Sequence, residues 1–123
     1  MPISYSVDSD RRLILSRWDG VVTENDMLAH WRKIFSDKAA LAVRRSLSDL
    51  RGVDLQVSGD NVRILTSQLV QPVLEQGPWS TAMIVDQPVI LGIFRQMQVY
   101  SRMPESTQVF TDESAALEWL LAQ

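Results

Sequence analysis

Thr81-Ala82-Met83-Ile84-Val85-Asp86-Gln87-Pro88-Val89-Ile90-Leu91-Gly92-Ile93-Phe94 decides the fold class. Its first five residues carry almost no polar side chain, the composition of a strand covered on both faces. Asp86-Gln87-Pro88 then supplies an N-cap and an early-turn proline. Ile90, Ile93, Phe94, Met97 and Tyr100 follow at helical spacing, so a helix is predicted through about Met103. A buried strand that runs straight into an amphipathic helix is the unit of an α/β domain.

Downstream, Thr107 to Phe110 reads as a further strand, and Thr111-Asp112-Glu113 caps a last helix whose Leu117, Trp119, Leu120 and Leu121 are expected in the core. Upstream, Trp79 follows Gly77-Pro78 in a loop, either tucked over the sheet edge or set out as a partner anchor. Before that loop a helix is predicted from about Ser58 to Gln76, with Val62, Leu65, Leu69, Val73 and Leu74 inward and Pro72 kinking or shortening it. Arg45 to Leu50 is a strand ending in a turn at Arg51-Gly52. The stripe Met27, Leu28, Trp31, Ile34 and Phe35 belongs to a helix that starts near Thr23, where Thr23-Glu24-Asn25-Asp26 resembles a capping box. Ile3 to Val7 and Leu13 to Trp18, separated by Asp8-Ser9-Asp10, form an opening hairpin. The order is ββαβαβαβα. It predicts a single α/β domain over residues 1–123, with a five-stranded mixed sheet and four helices.

Composition narrows the function classes. Of the 123 residues, 46% are apolar and 22% charged, as in folded globular proteins. The net charge of −3 opposes non-specific attraction to phosphate backbones. The pairs Arg11-Arg12, Arg32-Lys33 and Arg44-Arg45 read as solvated faces and element ends, so no nucleic-acid partner is expected. With no Cys there is neither a thiol nucleophile nor a thiolate metal ligand. No apolar run approaches the roughly 20 residues of a membrane span, and Met1-Pro2-Ile3-Ser4 lacks signal-peptide features. A cytoplasmic location is therefore expected.

Asp49-Leu50-Arg51-Gly52-Val53 followed by Ser58-Gly59 is similar to the STAS-domain segment that leads from the third strand to a phosphorylatable Ser. Ile90-Leu91-Gly92-Ile93-Phe94-Arg95-Gln96-Met97 resembles the Gly-x-x-Arg-x-Met stretch of SpoIIAA-like proteins. Val109-Phe110-Thr111-Asp112-Glu113, with Ala116, Leu117, Trp119 and Leu120, resembles their closing strand and helix. The resemblance runs from the opening hairpin to the C-terminus. It implies a STAS-like or CRAL-TRIO-like fold, and a role between anti-sigma-factor antagonism and small-ligand sensing. The chain departs from the switch pattern at Val57, where STAS antagonists usually carry Asp before the Ser.

Ser58 before a helix, with Asp60 in the first turn, is an N-cap in its own right. The same position would favour a phosphate electrostatically. Asp19, Asp49, Asp54 and Asp86 fall near strand ends and read mainly as turn and cap chemistry, without metal-specific spacing. Arg95 either lays its stem over the core or anchors an acidic group. His30, the only His, sits next to Trp31 in the first helix and is expected to be a surface or flanking residue. No nucleophile, base and oxyanion donor can be assembled around it, and the five glycines form no phosphate-binding motif. The sequence therefore predicts a non-enzymatic regulatory or protein-interaction module without cofactor or metal. Its candidate regulatory or partner-binding residues are Ser58, Asp49, Arg51, Asp54 and Arg95. The partner is an unidentified protein, with homodimerisation a further option. The alternative is a domain for a small amphipathic or acidic, lipid-like ligand held between the second and third helices.

Overall fold

The computed structural model describes residues 2–100 and 106–123, without the side chains of Met97, Val99 and Tyr100. The inward positions expected of Met97 and Tyr100, and a helix end near Met103, lie outside the described residues. The chain opens with the expected hairpin, β1 (Ile3–Asp8) antiparallel to β2 (Leu13–Trp18). The strands β4 (Arg45–Asp49), β6 (Ser80–Ile84) and β7 (Thr107–Phe110) complete a five-stranded sheet in the order β1-β2-β4-β6-β7, all parallel after the hairpin. Parallel neighbours need crossover connections, and the helices supply them.

Helix α1 (Glu24–Phe35) begins where the sequence places it. Thr23 accepts from the Asp26 N–H and donates its own N–H to the Asp26 carboxylate, a reciprocal capping box. The helix predicted over 58–76 is present as α3 (Gly59–Leu65), a π-helical turn (Thr66–Val70) and α4 (Gln71–Glu75). In that turn the Gln71 N–H reaches the Thr66 carbonyl, five residues back. Pro72 has no N–H, and in an unbroken α-helix its ring would crowd the carbonyl four residues earlier. The widened turn ahead of it is the form that the expected kink takes. Helix α5 (Pro88–Tyr100) starts at its proline, and α6 (Glu113–Leu121) is capped by Asp112, which accepts from the Ala115 N–H at 3.0 Å.

Three short elements escaped the sequence reading: β3 (Val21–Thr23), β5 (Asp54–Gln56) and α2 (Lys38–Val43). β3 and β5 pair in parallel as a separate two-stranded ribbon. Each is only three residues long, too short to show an alternation, and α2 holds six residues with a single buried position, Ala40.

The sheet is covered on both faces. Trp18, Met83 and Val85 pack on one side with Met27 and Trp31 of α1, Val62 of α3, and Ile90 and Phe94 of α5. Trp18 meets Phe94 edge-on at 6.1 Å between ring centroids. On the other side, Leu13, Leu47, Ala82 and Ile84 pack against Ala116 and Leu120 of α6 alone. The last helix thus belongs to the core, as expected, with one correction: Leu121 is exposed, and Trp119 is only partly covered against Phe110. Among the described residues no helix is long and apolar enough to cross a membrane.

Candidate functional site

Two places concentrate polar chemistry. The first is the rim at the carboxyl ends of the parallel strands, where open α/β sheets generally bind ligands. Asp49 closes β4, and its carboxylate takes two hydrogen bonds from the Arg51 guanidinium at 3.0 and 2.9 Å and an ion pair from Arg17 at 2.8 Å. Arg51 also lies 3.8 Å from Glu113 at the start of α6. The hydrogen-bonded Arg51, aided by Arg17 and opposed by partial burial, holds the Asp49 carboxyl below the usual carboxylate range. Behind them the Gly52 N–H donates to Asp86 at 3.2 Å, while Gln87 donates to the Val53 carbonyl at 2.7 Å. Asp86 thereby ties down the Arg51-Gly52 turn.

The remaining predicted residues do not join this pair. Ser58 is the N-cap of α3, accepting from the Asn61 N–H at 3.1 Å. Val57, the departure from the switch pattern, is buried in the same apolar cluster as Val62, the arrangement of a hydrophobic staple across a helix start. Packing thus accounts for an apolar side chain there. Asn61 in turn donates to Glu24, which ties α3 to α1. Asp54 opens β5, is exposed, and accepts from Gln56 at 3.3 Å. Arg95 is exposed on α5 and bonds to none of the described residues. Its neighbour Gln96 sits against Gly59, which places the start of α3 beside the middle of α5. Among the described residues no three His, Asp or Glu side chains gather where a metal ion would need them.

The second place was not anticipated. Between the sheet and the helices α1 and α4 lies a cavity of about 50 Å³. One water needs roughly 10–15 Å³ of such space, so the cavity takes three to five waters. Its floor is a set of hydroxyls on the inner face of the sheet. It is made by Ser46, Ser48, Thr81 and Thr107: Ser48 accepts at 2.8 Å from Ser16, which is not itself in the lining, Ser46 and Thr81 share a hydrogen bond of 2.9 Å, and Thr107 stands next to Thr81 across the strands. Its walls are aromatic and aliphatic: Trp31 and Phe35 from α1, Val73 from α4, and Trp79 from the loop before β6. The described helical lining comes from α1 and from the helix predicted over 58–76, not from that helix and the one after Pro88 as the ligand alternative had it.

Trp79 is buried, which settles its two readings in favour of packing. Its indole N–H donates to Ser46 at 3.3 Å and its ring meets Phe35 edge-on at 5.5 Å. Arg44, in the left-handed backbone region at φ 56°, lays its guanidinium 5.3 Å from that ring and donates to the carbonyls of Val73, Gly77 and Pro78. One side chain thereby holds the α4–β6 connection against the cavity.

His30 is the clearest correction to the sequence reading. It is buried, not at the surface, between Tyr5 and Trp18, each edge-on to it at 5.9 Å. It lines the cavity, and among the described residues nothing hydrogen-bonds it. Burial first, and nearby Lys33 second, push its pKa down to about 4, so it is neutral near pH 7. The sequence signal was present but outvoted: His30 lies three residues after Met27 and four before Ile34, on the apolar stripe itself.

With that geometry in view, the likeness to solved structures is specific. The chain superposes on an uncharacterised DUF3478-family protein from Shewanella loihica PV-4, described as having a SpoIIAA-like fold, with a TM-score of 0.63 over 96% of this chain and 93% of the other. The fold is SpoIIAA-like. At 18% identity the likeness concerns the fold. No family model matches the chain, and no curated protein matches it. The SpoIIAA-like frame nevertheless gives both places a setting, since the rim lies at the strand ends and the cavity under the helices that cover one face of the sheet.

Proposed function

We propose that this SpoIIAA-like chain is a non-enzymatic regulatory module that works by binding a protein partner along the Asp49 rim, in the cytoplasm. The observation that carries the reading is the linked set Arg17, Asp49, Arg51 and Glu113 at the strand ends. Its charges are held in place by one another, so a partner meets a preorganised surface of both signs. Ser58 serves this reading as a helix cap, and its replacement by Asp is expected to leave partner capture unchanged.

The test is capture of a partner by wild-type protein and by Arg51→Glu, Ser58→Ala and Ser58→Asp, with melting curves for each. Native mass spectrometry reads stoichiometry and any homodimer. Loss of a specific partner from folded Arg51→Glu, but not from Ser58→Asp, supports the rim. Turnover of generic ester or phosphate substrates that His30→Ala abolishes would overturn the non-enzymatic reading.

A second reading, a domain that binds a small ligand, is favoured by one observation, the aromatic-walled cavity with a hydroxyl floor. Sites for small molecules commonly combine apolar walls with a few placed polar groups.

A further inference from the structure

We infer that the cavity between the sheet and the helices α1 and α4 is a site for a small uncharged molecule with one ring or a short apolar body and an oxygen acceptor, such as a ketone. This rests on the ligand-binding reading and gives it a chemical class.

Size comes first. Three to five waters, at about 30 Å³ of liquid volume each, amount to roughly 90–150 Å³, the volume of a single substituted ring. The walls suit such a ring, because Trp31, Phe35 and Trp79 offer aromatic edges and faces around it.

Charge comes second. No Asp, Glu, Lys or Arg is among the described residues that line the cavity. Two cations beside the cavity-lining residues are turned to other work. Arg44 is outside, on the far side of Trp79 and bonded to three carbonyls, and Lys33 lies over the Tyr5 ring at 5.7 Å. Among the described residues an ionised ligand would find no counter-ion in the lining, and losing its hydration there is unfavourable. The acidic ligand considered from the sequence is therefore disfavoured here.

Hydrogen-bonding capacity comes third and selects the acceptor. A serine hydroxyl has one proton to donate and two lone pairs. Ser16 gives its proton to Ser48, whereas Ser48 donates to none of the described residues. Ser46 and Thr81 share one hydrogen bond between two protons, and Trp79 adds a donor to Ser46 without removing one. The floor thus keeps unused O–H donors on Ser48 and on the Ser46–Thr81 pair. A carbonyl or ether oxygen satisfies such donors, whereas a purely hydrocarbon ligand leaves them unmet.

Three probes of similar shape separate these claims: acetophenone, ethylbenzene and benzoate, followed by titration against the wild-type protein's backbone-amide chemical shifts. Acetophenone is expected to perturb the amides of Ser46, Ser48, Thr81 and Val73 and to bind about tenfold more tightly than the other two. Ser48→Ala should remove most of that preference over ethylbenzene while leaving melting cooperative. Val73→Phe, which fills the cavity, should abolish binding. If Val73→Phe does not fold, the site of the shifts in the wild type decides. Preference for benzoate, or equal binding of ethylbenzene, overturns the ligand class and leaves the cavity as a binding site. Absence of binding by all three, or shifts confined elsewhere, overturns the cavity reading itself.

Discussion

Ser16 on β2 and Ser48 on β4 face each other in register across a parallel strand pair and join through a 2.8 Å hydrogen bond, both buried on the inner face of the sheet. A buried hydroxyl that loses its acceptor costs about 1–3 kcal/mol, whereas removing both partners can be nearly neutral. Ser48→Ala is therefore expected to destabilise the protein by that amount. Ser16→Ala/Ser48→Ala should cost less than the two single changes together. Urea denaturation of the four proteins checks it, and strict additivity would mean that the two hydroxyls do not depend on each other.

His30 gives a pH dependence of defined sign. Its folded pKa, about 4, lies below the ordinary imidazole value of 6.5. Above pH 6.5 it is neutral in both states and contributes no slope. As the pH falls from 6.5 to about 4, the unfolded chain takes up a proton that the folded protein refuses, and stability drops by roughly 3 kcal/mol. His30→Phe should flatten the stability curve in that window. Asp49 acts in the same sense at lower pH, its folded pKa being lowered below the ordinary value of 3.8. Its contribution is present above 3.8 and is lost as the pH falls further, so the two effects occupy adjacent windows. Denaturant midpoints from pH 4 to 8 for wild type and His30→Phe are the measurement.

The strand and helix order was legible because caps and periods agreed locally: Thr23, Ser58 and Asp112 all act as the N-caps that their neighbours suggest. Of the candidate residues, Asp49 and Arg51 come together because a two-residue spacing across a turn lets a guanidinium fold back onto the carboxylate. Ser58, Asp54 and Arg95 scatter, since sequence nearness to strand ends says nothing about which way a loop leaves the sheet. The cavity was illegible for a different reason. In Arg45-Ser46-Leu47-Ser48-Asp49 the serines alternate with an apolar residue, which reads as a solvent face, and only the helices packed over them reveal an interior. Likewise Trp31, adjacent on the stripe, concealed that His30 turns inward too.

The closing helix makes an unequal prediction for neighbouring side chains. Leu120 is fully buried and Trp119 is partly covered, although Trp is the larger. Leu120→Ala should cost about 2–5 kcal/mol. Trp119→Ala should cost less than the 3–5 kcal/mol typical of a fully buried Trp. Thermal melts of the two variants test the order, and a larger loss at Trp119 would show that its ring is packed more deeply than Phe110 alone provides.

At the start of α3, Ser58→Ala should cost about 0.5–2 kcal/mol, because the Asn61 N–H loses its side-chain acceptor. Ser58→Asp should be neutral or slightly stabilising, since Asp caps equally well and its charge favours a helix N-terminus. Equilibrium unfolding of the pair is the check. A destabilised Ser58→Asp would point to repulsion from Asp60 prevailing over the cap.

The π-helical turn at Thr66–Val70 has a meaning for chain length. A turn that closes on the fifth residue rather than the fourth holds one residue more than the α-helical turn it replaces, yet the flanks on either side keep Val62 and Leu74 pointing inward. It is an insertion absorbed in place. A chain lacking one of the exposed residues Ser67 or Gln68, and carrying Ala at Pro72, can close the same helix in ordinary α geometry with neither end rotated. Two sequences that differ by one residue between α3 and α4 therefore need no gap in their three-dimensional correspondence outside this turn, and an alignment that pushes the gap into β6 would misplace the cavity-lining residues Val73, Leu74 and Trp79 that lie between.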